Sequence, residues 1–169
     1  MPWITVNGNH ILIEDDSYAS PRKQNGHRVG TSDEYRYHNK HPVTKKPQHH
    51  DGVDIPASKG TSIPSIVDGK VLNSGTMIGY GKYVDITGSD GRIRRYAHLN
   101  STHLRENHDV KAGDEIGKVG NTGIGTGDHL HYEVGKIGKG YNPKDLSKLQ
   151  HKSPPDKEVD FYARVLKSK

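Results

Sequence analysis

The stretch His129-Leu130-His131-Tyr132-Glu133 decides how the rest of this sequence is interpreted. Successive side chains of a β-strand alternate between its two faces, so His129 and His131 point one way while Leu130 and Tyr132 point the other. Two imidazoles therefore share one surface of the predicted strand. Imidazole nitrogen is a ligand that Zn²⁺ prefers, so this strand predicts part of a metal site.

A second motif, His50-Asp51-Gly52-Val53-Asp54, lies about eighty residues upstream. A catalytic zinc site takes three protein ligands and leaves a fourth position for water. His50, Asp54 and one histidine of the downstream pair would supply those ligands. The other histidine would then stand beside the metal, free to move protons.

The register of the upstream motif has alternatives, because two histidines are adjacent and two aspartates follow them. His50 lies four residues before Asp54, and a glycine between them lets the chain turn so that both side chains face one metal. Neighbouring residues of an extended chain point to opposite sides, so we expect His49 to face away. The alternatives are that His49 is the ligand, or that Asp51 replaces Asp54.

Short runs rich in β-branched residues alternate with glycine-rich turns, which predicts a mainly β fold, an antiparallel sandwich or partly open barrel. An N-terminal hairpin is predicted where Asn7-Gly8-Asn9 separates Trp3-Ile4-Thr5-Val6 from His10-Ile11-Leu12-Ile13. The other predicted strands are residues 52–55, 62–67, 70–73, 83–87, 92–98, 115–119 and 129–134. A short C-terminal amphipathic helix capped by Asp156 is predicted from the apolar spacing of Val159, Tyr162, Ala163 and Leu166.

A third histidine is expected at the same surface through a hairpin. Gly88-Ser89-Asp90-Gly91 joins two predicted strands, and the second ends at Tyr96-Ala97-His98-Leu99. By alternation Tyr96 and His98 are expected to share a face, which would bring His98 to the histidine pair. The glycine-rich segment 121–127 lacks the Gly-Lys-Ser/Thr ending of a phosphate cradle, so it is interpreted as a loop that shapes a cleft.

Composition excludes several kinds of chemistry. The absence of cysteine leaves histidine and carboxylate as the metal ligands, and the chain has 12 histidines. Lys and Arg number 25 against 20 Asp and Glu, which favours an anionic partner, but no nucleic-acid motif accompanies the excess. The N-terminus predicts no signal peptide, no membrane span is predicted, and a monomer is expected.

Three segments are predicted along the chain: an N-terminal hairpin and polar loop over residues 1–41, a core over 42–146 and a C-terminal tail with the helix over 147–169. The length of 169 residues suits one domain with appendages and not two full domains.

The motifs together resemble the lysostaphin/LytM family of peptidoglycan zinc endopeptidases. The resemblance rests on His50-x-x-x-Asp54, Tyr96-x-His98-Leu99 and His129-x-His131, with Gly120-Asn121-Thr122-Gly123 and Thr126-Gly127 before the last, and runs from about His41 to Leu146. It implies an antiparallel β fold with a substrate groove. It also implies one zinc ion per chain, held by His50, Asp54 and His131, with His98 and His129 as the catalytic pair.

The resemblance further implies cleavage of peptide bonds in the stem peptides or cross-bridges of the bacterial cell wall. The enzyme would act outside the cell, in the periplasm or on a virion, and a phage-borne lytic enzyme is one way to reach the wall without a secretion signal. Two alternatives are a catalytically inactive binding or activating module and a zinc-stabilised structural domain. An open metal site would favour the enzyme, and a closed four-ligand site would favour the structural domain.

Within the implied site, His98 is the expected general base and His129 the group that stabilises the oxyanion, although the two roles could be exchanged. Glu133 lies on the same strand face as His131 and could orient that ligand. The alternative for Glu133 is an ordinary solvent-facing carboxylate.

Overall fold

The computed structural model describes residues 53–123, 127–137 and 154–167, together with the backbone of five short strands elsewhere. The first four strands are β1 (Trp3–Val6), β2 (Asn9–Leu12), β3 (Lys23–Gln24) and β4 (His27–Arg28). The next seven are β5 (Val53–Pro56), β6 (Ser62–Pro64), β7 (Gly69–Met77), β8 (Gly81–Gly88), β9 (Arg92–Leu99), β10 (Asp109–Val110) and β11 (Glu115–Lys118). The last elements are β12 (His129–Ile137), β13 (Leu149–Lys152) and helix α1 (Asp156–Lys167).

The fold prediction is confirmed, because antiparallel strands dominate and a short helix stands at the C-terminus. A seven-stranded sheet has the order β10-β7-β8-β9-β12-β13, and β5 also pairs with β12. Strands β6 and β11 form a second, two-stranded sheet. The predicted N-terminal hairpin is also present, since β1 pairs with β2 from Trp3 opposite Leu12 to Val6 opposite Asn9.

Strand β12 lies at the centre of the arrangement that positions the histidines. One of its edges pairs with β9 along residues 131–136. Its other edge pairs first with β5, along residues 129–132, and then with β13, along residues 134–137. The N-terminal half of β12 therefore has backbone partners on both sides, which fixes the directions of its side chains.

The core forms where apolar side chains of the large sheet, β6, β11 and α1 meet in one cluster. Leu130 and Tyr132 of β12 are completely buried there, as alternation predicts. The four helix positions predicted to be apolar are also buried in this cluster. Among the described helices, none is long and apolar enough to cross a membrane.

Candidate metal and catalytic site

Four of the five predicted site residues come together at one face of the large sheet. Asp54 on β5 lies directly opposite His131 on β12, and the Nδ1 atom of His131 is 2.7 Å from Oδ1 of Asp54. The Nε2 atom of His129 is 3.6 Å from the same oxygen. The ring of His98 lies 4.8 Å from the ring of His129 and 5.6 Å from that of His131, centroid to centroid.

The fifth predicted residue, His50, lies outside the described residues, as do His49 and Asp51. Among the residues that the structure does describe, no three histidine, aspartate or glutamate side chains are arranged as a complete metal site. The ligand set of His50, Asp54 and His131 therefore stays a prediction.

His98 reaches this face by a route that alternation does not predict. Tyr96 packs on the opposite face, where its ring lies 5.1 Å from that of Tyr132, so the expectation that Tyr96 and His98 share a face is wrong. The pairing of β8 with β9 shifts register between Lys82 and Val84, a bulge that gives β9 one extra residue. His98 adopts a φ of 57° there, in the left-handed region. The bulge turns its side chain toward the other histidines.

The loop between β11 and β12 orients both members of the predicted catalytic pair. The Nδ1 atom of His98 is 2.5 Å from the carbonyl oxygen of Thr122, and that of His129 is 2.6 Å from the carbonyl oxygen of Gly127. A carbonyl oxygen only accepts hydrogen bonds, so each Nδ1 carries the proton. In the neutral ring of each histidine, Nε2 is then left as a proton acceptor.

Two glycines bring this loop against the turn between β7 and β8. Gly81 and Gly123 have φ values of 67° and 80°. A Cβ atom on Gly123 would lie 2.5 Å from the carbonyl oxygen of Gly79, and one on Gly81 would collide with the backbone of Thr122. Only glycine permits this approach, which places Tyr80 beside the histidine cluster.

Protonation differs between His98 and His131. Burial lowers the pKa of His98 to about 4, so its ring is neutral near pH 7. Burial acts in the same direction on His131, but hydrogen bonds to the carboxylates of Asp54 and Glu133 outweigh it and raise the pKa of His131 to about 9. The two carboxylates thus favour the protonated ring of His131, whereas burial favours the neutral ring of His98.

Glu133 hydrogen-bonds His131, and the alternative of a solvent-facing carboxylate is wrong. Its side chain is 1% exposed, and its Oε1 atom is 2.7 Å from Nε2 of His131. The sequence patterns do not indicate the two neighbours of Glu133, which are Tyr80 and Arg95. The hydroxyl of Tyr80 donates to Oε1 at 2.8 Å, and Nη1 of Arg95 lies 3.7 Å from Oε2. A signal for Arg95 was available, because two adjacent arginines in a buried strand must each find a carboxylate.

The donor atoms present suit zinc. When Nε2 of His131 donates to Glu133, Nδ1 is left with its lone pair toward Asp54, so an imidazole nitrogen and a carboxylate oxygen converge on one position. A ligating histidine usually donates its other N–H group to a carboxylate, and Oε1 of Glu133 lies 2.7 Å from Nε2 of His131. His131 and Asp54 would thus supply two ligands, and His50 is the predicted third.

Comparison with known proteins gives consistent matches. The model of Peptidase family M23 matches residues 48–143. DD-carboxypeptidase/endopeptidase Mpg of Neisseria meningitidis serogroup B is 38% identical over 107 residues, 63% of this chain and 25% of that protein. Murein hydrolase activator NlpD of Salmonella dublin is 39% identical over 93 residues, 54% of this chain and 24% of that protein. The chain thus spans about a quarter of the length of these relatives.

Solved structures also match. The catalytic domain of the antimicrobial peptidase lysostaphin from Staphylococcus simulans aligns with a TM-score of 0.54 and 28% sequence identity. The alignment covers 67% of this chain and 83% of that domain. The similarity therefore extends over most of a catalytic domain.

Proposed function

Because the chain belongs to peptidase family M23, we propose that it is a zinc-dependent endopeptidase that hydrolyses peptide bonds in peptidoglycan stem peptides or cross-bridges. The family is zinc-dependent and acts on the peptidoglycan of the cell wall. The observation that carries the proposal is the convergence of three imidazoles and one carboxylate, with both predicted catalytic histidines oriented by backbone carbonyls.

The proposed division of labour keeps His50, Asp54 and His131 as the metal ligands. When bound, zinc supplies Lewis acidity that polarises a peptide carbonyl and lowers the pKa of water to about 7. Asp54 and His131 meet at 2.7 Å because they are directly opposite on paired strands, and this pairing supports their proposed roles as two of the ligands.

His98 is proposed as the general base. Its ring is neutral because burial lowers its pKa, and the bond from Nδ1 to Thr122 commits its one proton. Nε2 can therefore take a proton from the attacking water and pass it to the leaving amine.

His129 is proposed to stabilise the oxyanion. Its Nδ1–H group is committed to Gly127, so it becomes a donor toward the substrate when Nε2 also carries a proton. The carboxylate of Asp54 lies 3.6 Å from that nitrogen. Exchange of roles between His98 and His129 would give the same chemistry.

An activating module is the second candidate, because NlpD is named a murein hydrolase activator. Such a module would be expected to lack at least one residue of the set. Asp54, His98, His129 and His131 are all present and grouped in this chain, which favours the enzyme. A phage-borne role for the enzyme stays a prediction.

The test is zinc content together with clearing of purified cell walls by the full chain. We expect about one zinc per chain, loss of clearing and a lower melting temperature in chelator, and recovery with added zinc. His103→Ala, a change at an exposed histidine, serves as a matched control and should clear walls like wild type. Metal-free protein that clears walls equally well in chelator would contradict the proposal, as would zinc-loaded protein that clears none.

A further inference from the structure

A row of buried polar side chains crosses four strands of the large sheet and ends at His131. Asn73, Asp85, Arg95 and Glu133 stand on β7, β8, β9 and β12, and each lies directly opposite the next. None of the four is more than 6% exposed. Replacing a buried ion pair by well-packed hydrophobic residues is often neutral or stabilising, so stability alone is a weak explanation for this row.

Asp85 fixes the orientation of Arg95. Nε of Arg95 donates to Oδ1 of Asp85 at 2.9 Å, and Nη2 donates to Oδ2 at 3.2 Å. Because a guanidinium is planar and rigid, this two-point contact also sets the direction of Nη1. Nη1 lies 3.7 Å from Oε2 of Glu133, so the charge of Arg95 is shared between the two carboxylates.

Tyr80 holds the other oxygen of Glu133. Its hydroxyl donates to Oε1, the oxygen that also bonds His131. Its ring lies 4.7 Å from the guanidinium carbon of Arg95 and 5.6 Å from the ring of His131. The side chain of Tyr80 therefore contacts Glu133, Arg95 and His131. The close approach at Gly81 and Gly123 places it there.

We propose that Tyr80 and Arg95 are positioning residues, which hold Glu133 against Nε2 of His131 and so keep Nδ1 as the nitrogen that faces the metal. The inference rests on the proposed function, in which His131 is a ligand. Neither residue touches the metal, and both act through Glu133. Without them the carboxylate can rotate, and the imidazole ring is free to turn Nδ1 away from Asp54.

The test measures zinc affinity by chelator competition with Zn²⁺ alone. Tyr80→Phe removes the hydroxyl and keeps the ring, and we expect zinc to bind about 10-fold more weakly, in line with the loss of other groups that orient ligands. Tyr83→Phe is the matched control, because its ring also faces Arg95 at 5.8 Å but it makes no hydrogen bond to Glu133 among the described contacts. We expect the control to bind zinc as wild type does.

Arg95→Lys tests the second positioning residue. Lysine keeps the charge but cannot make the two-point contact with Asp85, so zinc binding should weaken by about 10-fold or more. Arg94→Lys is its control on the opposite face of β9, and should leave zinc affinity unchanged. If Arg95→Lys does not fold, as circular dichroism would show, Tyr80→Phe decides the question.

A spectroscopic measurement separates positioning from a general loss of stability. In ¹⁵N spectra of the zinc-loaded wild type, His131 should show zinc on Nδ1 and a proton on Nε2. Tyr80→Phe should show a second ring orientation or rapid solvent exchange of the Nε2 proton. Variants that match wild type in zinc affinity and in the His131 spectrum would overturn this inference alone. Wild-type protein that binds no zinc would overturn the proposed function and this inference with it.

Discussion

Each face of the β9–β12 pair buries one arginine between two carboxylates, but the two arginines have different roles. Arg94 and Arg95 are adjacent and buried, and each serves two carboxylates. Arg94 bonds Asp90 at 2.8 Å and Glu158 of helix α1 at 3.0 Å, whereas Arg95 bonds Asp85 and faces Glu133. One arginine therefore fastens the helix to the sheet, and the other supports the histidine site.

The surroundings of the two arginines differ in what they leave available for chemistry. On the face of Arg94, the rings of Tyr96, Tyr132 and Tyr162 pack on one another, with centroids 4.9 to 5.8 Å apart. The hydroxyl of Tyr132 donates to Glu158. That face is closed by the helix. Beyond Arg95, three imidazoles and Asp54 meet, and the side chain of Asp54 is 36% exposed. Strand alternation, together with the bulge at His98, thus separates a structural face from a reactive one.

The largest expected effect comes from removing a ligand on the histidine face. His131→Ala and His50→Ala should lose zinc binding and hydrolysis, because a three-ligand site does not survive the loss of one ligand. His49→Ala is the matched control and should keep zinc and most activity. Paired metal analysis and wall-clearing assays check this, and the opposite result for His49 and His50 would move the site by one residue.

A smaller effect is expected from the catalytic pair on the same face. His98→Ala and His129→Ala should keep stoichiometric zinc but lose turnover by about 100-fold each, the usual contribution of a general base or an oxyanion donor. Metal content and initial rates are measured on the same samples. Metal-free His98→Ala would reassign His98 from catalyst to ligand.

Substitutions on the helix face, where Arg94 contacts α1, should lower the stability of the fold and leave zinc affinity unchanged. Glu158→Gln weakens the buried pairing with Arg94, and we expect a loss of about 3 kcal/mol in the free energy of unfolding. Glu106→Gln, at an exposed position, is the control and should change stability little. Urea unfolding and chelator competition check both variants. A loss of zinc affinity in Glu158→Gln would show that the two faces are coupled.

The smallest expected effect is the contribution of Asp90 to the pH dependence of stability. The hydrogen bonds from Arg94 lower the pKa of Asp90, so this group stabilises the fold above its unfolded pKa of 3.8, and that contribution is lost as pH falls through the lower folded value. Asp90 is partly solvent-exposed and screened, so the contribution is about 0.5 kcal/mol. Between pH 7 and pH 3, the urea midpoint of unfolding should therefore fall slightly less in Asp90→Asn than in wild type. An identical pH dependence in Asp90→Asn and wild type would show that the ion pair between Asp90 and Arg94 does not contribute measurably to stability.

Sequence patterns predicted most of the fold because its strands are short runs rich in β-branched residues, with apolar side chains at alternate positions. Val84 and Ile86 of β8 are buried as this pattern requires, and so are Leu130 and Tyr132 of β12. Strand β13 was missed, because Leu149-Gln150-His151-Lys152 has no apolar alternation and is held by backbone pairing with β12. Periodicity detects buried faces, and it cannot detect a strand that lacks one.

The grouping of site residues was predicted in part, and the failure at His98 has a physical cause. Direct pairing of β5 with β12 brings Asp54 to His131, which alternation supports. A bulge cannot be read from the letters Tyr-Ala-His-Leu, because it depends on how β8 and β9 pair. The adjacent arginines indicate that Arg95 needs a carboxylate, but the contacts that join Tyr80, Arg95 and Glu133 cross several strands and no local pattern indicates them.

If the face that carries His98, His129 and His131 is a zinc peptidase centre, mass spectrometry of the products released from purified cell walls should detect cleaved peptide bonds. Walls with different cross-bridge types would be digested with zinc-loaded wild type and with His98→Ala. We expect wild type to release fragments with new amino and carboxyl ends at a peptide bond, and the variant to release about 100-fold fewer. Release of no peptide-bond products by zinc-loaded wild type, or equal release by both proteins, would contradict this expectation.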